Sequence, residues 1–197
     1  TLEPDLGVDF GGLAEWPLDH VVKVLCFCHP DDDAAMQADQ EATVQRLFTA
    51  ARRNRLEVLL EVIPSKVGPV DDDTTAALIR RFYQIGVFPD WWKLEPMKTV
   101  QGWTRTCAAI EANDPYSRGI VVLGLDAPEA ELAASFKVAA GFPLVRGFAV
   151  GRTIFADAAR DWLAGRMQDD AAVEMMATRY AALCRVWDAA RKEGAKA

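Results

Sequence analysis

Residues 20–33 read HVVKVLCFCHPDDD, and this stretch decides the fold. Its first part is an apolar run of strand length. The three aspartates that close it mark a helix start, where carboxylates cap free amides and oppose the helix dipole. A doubly wound nucleotide-binding sheet would carry a glycine-rich phosphate loop at this junction, and none is present. Instead a charge, Lys23, sits inside the strand. Barrel enzymes place reactive side chains in such positions, pointing into the barrel mouth.

The same strand-then-helix pattern recurs outward from this segment. Strand-like runs at about 20–28, 57–63, 90–95, 119–125 and 144–150 are each followed by a helical pattern. Asp31 to Asp33 precede a helix through Leu47, and Asp71 to Asp73 precede one over Ala76 to Tyr83. Pro128 opens another helix, and Asp169 and Asp170 open the last, which runs to about Lys192. Apolar strands alternating with helices specify a parallel sheet covered by helices. The expected class is therefore α/β, of (β/α)8 TIM-barrel type, with this chain carrying roughly the last five βα units. Residues 1–19, rich in glycine and proline, are expected to form an extended lead-in, and 20–197 a single partial barrel domain.

Bulk composition narrows the function classes. The 197 residues carry a net charge of -7, and no basic stripe follows any helix, so neither nucleic acid nor a polybasic membrane contact is expected. The longest apolar stretches are strand-sized, too short to span a bilayer. No basic segment followed by an apolar run opens the chain, so no signal peptide is expected, and the start at Thr1 instead of Met points to processing, trimming or a fragment. Cys26 and Cys28 share a strand face and read as small buried hydrophobes. With His29 they offer soft ligands, but no second ligand pair accompanies them, so no metal and no other cofactor is expected. A reduced, cytoplasmic protein fits this cysteine usage.

Two further strands repeat the anomaly of Lys23. Glu61 lies inside EVLLEVI (57–63), and Lys93 inside DWWKLEP (90–96). A charge within an apolar strand costs several kcal/mol unless a partner or a task offsets it, on the order of known burial penalties. Strand alternation puts Lys23 on a face with Val21, Leu25 and Phe27, Glu61 with Leu59 and Ile63, and Lys93 with Trp91 and Glu95. If those faces point inward, Lys23, Glu61, Lys93 and Glu95 converge. A partly desolvated lysine near another cation has a lowered pKa, which frees its amine for attack on a carbonyl. A nearby glutamate can shuttle protons during carbinolamine formation and dehydration. The parts suit Schiff-base chemistry, and they suit equally a structural Lys–Glu network that stitches strands together.

The last two strands carry a different signal. VVLGLDAPEAEL (121–132) places Gly124 where a strand hands over to a helix, and VRGFAVGRTIF (145–155) repeats this with Gly147, Gly151 and Arg152. Glycines there let backbone amides approach a phosphate at a helix N-terminus, and Arg152 can add a bidentate contact.

Taken together, VVKVLCFCHPDDD (21–33), VLLEVIPSK (58–66), FPDWWKLEP (88–96), RGIVVLGLDAPEAELAASF (118–136) and GFAVGRTIF (147–155) resemble the C-terminal barrel domain of bacterial myo-inositol catabolism proteins. In that family the domain commonly follows a ribokinase-like 5-dehydro-2-deoxygluconokinase. The resemblance implies a 5-dehydro-2-deoxyphosphogluconate aldolase. A more distant similarity is to class I tagatose-bisphosphate aldolases. It implies Lys93 as the imine-forming lysine, Glu61 as proton shuttle, Lys23 as electrostatic partner, and Gly151 with Arg152 as a phosphate element. Gly124 and Glu95 complete the expected substrate-binding set.

The expected reaction is class I cleavage of 2-deoxy-5-keto-gluconate 6-phosphate to dihydroxyacetone phosphate and malonate semialdehyde. The rival expectation is a non-catalytic phosphosugar-binding or interaction domain associated with a sugar kinase. The family's early strands, one bearing an Asp-His-Arg segment, have no counterpart in the sequence. The expected partners are thus a phosphorylated ketose and either a missing N-terminal barrel segment or kinase domain, or a further copy of the chain.

Overall fold

The computed structural model describes residues 6–7, 9–125 and 127–194. Five strands, β1 (Val21–Cys26), β2 (Glu57–Val62), β3 (Trp91–Leu94), β4 (Gly119–Leu123) and β5 (Val145–Ala149), are ordered in the sheet as in the chain. Five helices follow them in turn: α1 (Ala34–Arg53), α2 (Thr74–Gln84), α3 (Val100–Asn113), α4 (Glu129–Ala139) and α5 (Arg152–Leu163). A sixth, α6 (Asp169–Gly194), closes the chain. The architecture is α/β with five parallel βα units. Among the described residues no helix is long and apolar enough to cross a membrane.

The chain divides into two compact units, one comprising Thr1–Leu94 with Gln101–Ile120 and the other Glu95–Val100 with Val121–Ala197. In the first, β1 pairs in parallel with β2 and β2 with β3. Alternation sorts the side chains of these strands. Val22, Val58, Leu60, Val62, Trp92 and Leu94 are all buried, whereas Val21, Lys23, Glu57, Leu59, Trp91 and Lys93 on the alternate positions are partly or fully exposed. Trp92 packs against Phe82 and Tyr83 of α2, and its indole N–H donates to the Tyr83 hydroxyl at 3.0 Å.

Helix α1 begins as the sequence predicts, with Asp33 accepting from the amides of Ala35 and Met36. It runs to Arg53 rather than stopping near Leu47. The reason is the stop signal. Arg55 takes the left-handed conformation usually left to glycine (φ 61°), the Leu56 amide reaches back to the Ala51 carbonyl, and Leu56 is buried. At α2 the capping carboxylate is also displaced. Asp73 makes no side-chain cap and pairs with Arg80, while Asp71 accepts from the amides of Asp73 and Thr74.

The expected lead-in is not extended along its length. Residues 1–5 lie outside the described ones, but Gly11–Glu15 form a turn of 3-10 helix. Phe10 and Leu13 are buried there against Val22, Leu47, Ala51, Leu56 and Val58. Leu6 and Trp16, partly buried, pack against the same cluster and help to dock the segment.

In the second unit an aromatic cluster anchors the helices. Phe136 of α4 stacks on Phe148 of β5 at 4.9 Å and meets Trp187 of α6 edge-on at 5.5 Å. Arg191 then donates to the carbonyls of Ala140 and Phe142, tying α6 to the end of α4.

Candidate active site

The parallel register sets the geometry of the charged face. Glu61 lies directly beside Lys93 of β3, while Lys23 of β1 is paired with Leu59, two residues before Glu61, and so reaches it diagonally. Lys93 Nζ stands 3.0 Å from Glu61 Oε1, and Lys23 Nζ 2.6 Å from Oε2. The carboxylate thus bridges two ammonium groups, one on each oxygen. The Glu61 side chain is 7% exposed, Lys93 19% and Lys23 46%, so the acid is buried, the Lys93 amine partly shielded and the Lys23 amine open to water.

Both contacts lie within reach of charge-assisted hydrogen bonding, an ammonium having three donors that rotate toward the acceptor.

Other nucleophile candidates around this face are silent. Burial pushes the Cys26 thiol up to about 12, only partly opposed by Lys23, and drives the Cys28 thiol upward as well. Both are free and buried, in keeping with a packing role. Among the described residues no group of three or more His, Cys, Asp or Glu side chains could hold a metal ion.

His29, which the sequence offers only as a ligand candidate, has a different use. Its ring is buried and its Nε2 lies 2.9 Å from the Pro69 carbonyl, in the loop after β2. That partner lies 40 positions away, so nothing local in the sequence announces it.

The remaining predicted residues belong to the second unit. Glu95 follows β3 directly and is buried. Gly124 directly follows β4, and an added Cβ would lie 3.0 Å from Val150, the residue before Gly151. Gly151 caps α5, and Arg152 is its exposed first residue. The Thr153 hydroxyl donates to the Ala127 carbonyl at 3.2 Å, so the loop after β4 is joined to the start of α5. Gly124, Gly151 and Arg152 therefore gather at adjoining strand ends, and a side chain at 124 would press on Val150. Lys23, Glu61 and Lys93 gather in the first unit.

Comparison with known proteins adds the fold and the family. The chain is similar to fructose-bisphosphate aldolase of Plasmodium falciparum, solved with TRAP and a small-molecule inhibitor, with a TM-score of 0.53 and 13% identity. The match covers 87% of this chain and 54% of that one, so the chain spans about half of the aldolase. At this identity the likeness is one of fold: five parallel βα units resembling part of an aldolase TIM barrel. A Corynebacterium glutamicum protein gives 22% identity over 80% of this chain and 50% of that chain, with a TM-score of 0.49. No protein of curated function matches. A family model matches residues 1–191, and the chain belongs to the bacterial family it describes, "Uncharacterized protein conserved in bacteria (DUF2090)".

Proposed function

We propose that the chain is the aldolase, or part of the aldolase, of a class I reaction in which Lys93 forms an imine with a phosphorylated ketose. The observation that carries the reading is the bridging of Glu61 by Lys23 and Lys93, at 2.6 and 3.0 Å, on the less covered face of a parallel sheet. The aldolase-like fold supports it, as does the family resemblance of the motifs.

The proposed steps are as follows. A proton leaves Lys93, helped by the nearby Lys23 charge, and Glu61 Oε1 at 3.0 Å is placed to take it. The free amine adds to the ketone carbon. Glu61 returns protons to the carbinolamine oxygen, water leaves, and an iminium remains. In 2-deoxy-5-keto-gluconate 6-phosphate the ketone is C5, so the C3–C4 bond breaks as the C3 hydroxyl loses its proton. The bond electrons pass into the iminium to give an enamine, and malonate semialdehyde departs. Protonation at C4 and hydrolysis then release dihydroxyacetone phosphate and restore Lys93. In this reading Lys23 keeps the Lys93 amine neutral and steadies a substrate oxygen. Gly124, Gly151 and Arg152 hold a phosphate, and Glu95 contacts substrate. Myo-inositol catabolism is the proposed setting.

Incubating the protein with this substrate and assaying both products by coupled enzymes tests the reading. Both products are expected in equal amounts. Phosphosugar binding that depends on Arg152, with no product from a folded protein, would instead favour a binding domain.

A further inference from the structure

The C-terminal half of α1 borders a cavity of about 780 Å³ in the first unit. Its other wall is the turn after α2, where Gln45 Nε2 donates to the Ile85 carbonyl at 2.6 Å and ties the two elements together. Arg52, also in the lining, bonds to Asp90 and to the Phe88 carbonyl near the strand starts, whereas Lys23, Glu61 and Lys93 lie further along. Although the chain carries a net charge of -7, the described lining holds three arginines, Arg46, Arg52 and Arg53, against one carboxylate, Asp9. Asp9 accepts from the Gly11 amide at 3.1 Å, and Asp90 neutralises Arg52. Two guanidinium groups are left over. Among the described residues Arg46 donates to a neutral acceptor, the Thr43 hydroxyl at 3.3 Å, and Arg53 forms no ion pair. The helix end does not need them. The amides of Asn54, Arg55 and Leu56 and the Asn54 side chain already serve the carbonyls of Ala50, Ala51 and Arg52, and Arg46 lies outside the last turn, over which the helix dipole acts.

We infer that this cavity is a second ligand site, one that takes a sugar or polyol bearing two phosphate groups. The inference does not depend on the aldolase reading. Arg46 and Arg53 are seven positions apart on one helix, which puts them on the same face and about 10 Å apart along its axis. That separation asks for anionic groups at opposite ends of a ligand rather than on adjacent atoms, and a guanidinium grips a phosphate with two parallel N–H donors. Between them lie Phe48 and Thr49. Arg52 covers part of the Phe48 ring at 4.8 Å, and the remainder of the ring, with Ile85, offers an apolar surface to the C–H groups of a carbon chain. The Thr49 hydroxyl gives its hydrogen to the Gln45 carbonyl at 2.8 Å, so its oxygen is left to accept, and Gln45 Oε1 is an acceptor as well. Acceptors in the middle suit the hydroxyls of a sugar and disfavour a continuously anionic chain such as polyphosphate. The volume is that of pockets which hold small organic ligands.

The test is isothermal calorimetry at low salt with hexitol 1,6-bisphosphate, which has no carbonyl and so cannot form an imine. Titrations use the unaltered protein and an Arg152→Gln variant, in which the proposed phosphate element of the second unit is disabled. The probe should bind in both. In the Arg152→Gln background, hexitol 6-phosphate should bind about tenfold more weakly than the bisphosphate, the scale of one lost charge-assisted contact. Adding Arg46→Gln or Arg53→Gln should each weaken the bisphosphate about tenfold. Thr49→Trp fills the cavity while keeping every charge, and should abolish binding to a protein whose circular dichroism is unchanged. Arg55→Gln removes a neighbouring charge outside the lining and should leave affinity within about twofold, far short of a lost charge-assisted contact. No heat from the folded Arg152→Gln protein at millimolar probe overturns the inference. So does binding that survives Thr49→Trp, a loss in Arg55→Gln as large as in Arg53→Gln, or equal affinity for the two phosphate esters.

Discussion

Strands β2 and β3 carry two ion-pair clusters, and the clusters are built differently. Near the strand starts, Asp90 Oδ2 accepts from Arg52 at 2.8 Å and from the Val58 amide at 2.7 Å. Arg52 also donates to the Phe88 carbonyl, and Glu57 is held by the Trp91 indole and Arg118. Each carboxylate there satisfies groups of the fold itself. Further along the strands, the Glu61 carboxylate meets two lysine side chains, and among the described residues no backbone group is bonded to it. A cluster that serves the backbone is scaffold, whereas one that pairs side chains alone and carries an excess charge is suited to chemistry.

Exchanging each cluster for apolar residues gives the widest contrast. Arg52→Met with Asp90→Leu strands the Val58 amide and should cost about 3 kcal/mol in urea unfolding. Lys23→Met, Glu61→Leu and Lys93→Met together should leave stability unchanged or raise it by about 1 kcal/mol, because desolvated charges are removed as a set. Equal losses in both would erase the distinction. Glu61→Leu alone should cost about 2 kcal/mol, since two ammonium groups then face each other, and adding Lys23→Met should restore most of it. Double-mutant analysis of urea midpoints reads this directly.

Smaller effects mark out the scaffold. Arg55→Gly relieves a left-handed arginine and should stabilise the protein by about 1 kcal/mol in thermal unfolding, with no effect on the lysine face. Asp71 is a charged group that lies after β2 yet serves only a helix start. Hydrogen bonds from the Thr74 hydroxyl and the Asp73 and Thr74 amides hold its pKa below the usual carboxylate range. A lowered folded-state pKa gives stability that is present above the unfolded value and lost as pH falls through the folded one. The stability gap between the unaltered protein and Asp71→Ala should therefore narrow below about pH 4.

Much of the first unit was legible because alternation and capping are local. The positions of β1 to β3, the buried face under α2 and the Asp33 cap all follow from residues close in sequence. The end of α1 was not legible, because an arginine holds a glycine's conformation. The 3-10 turn at Gly11–Glu15 was hidden by its short length. For the site, residue types singled out Lys23, Glu61 and Lys93, but only the register reveals that Lys23 approaches diagonally and Lys93 squarely. The His29–Pro69 bond had no sequence signature, since its acceptor is a backbone carbonyl in a distant loop.

Trapping tests the central claim most directly. The protein is incubated with dihydroxyacetone phosphate, reduced with borohydride, digested and mapped by mass spectrometry. A single adduct on Lys93, lost in Lys93→Arg and retained in Lys66→Arg, is the predicted result. An adduct on Lys23 in its place, or none on a folded protein at saturating ligand, would contradict the account.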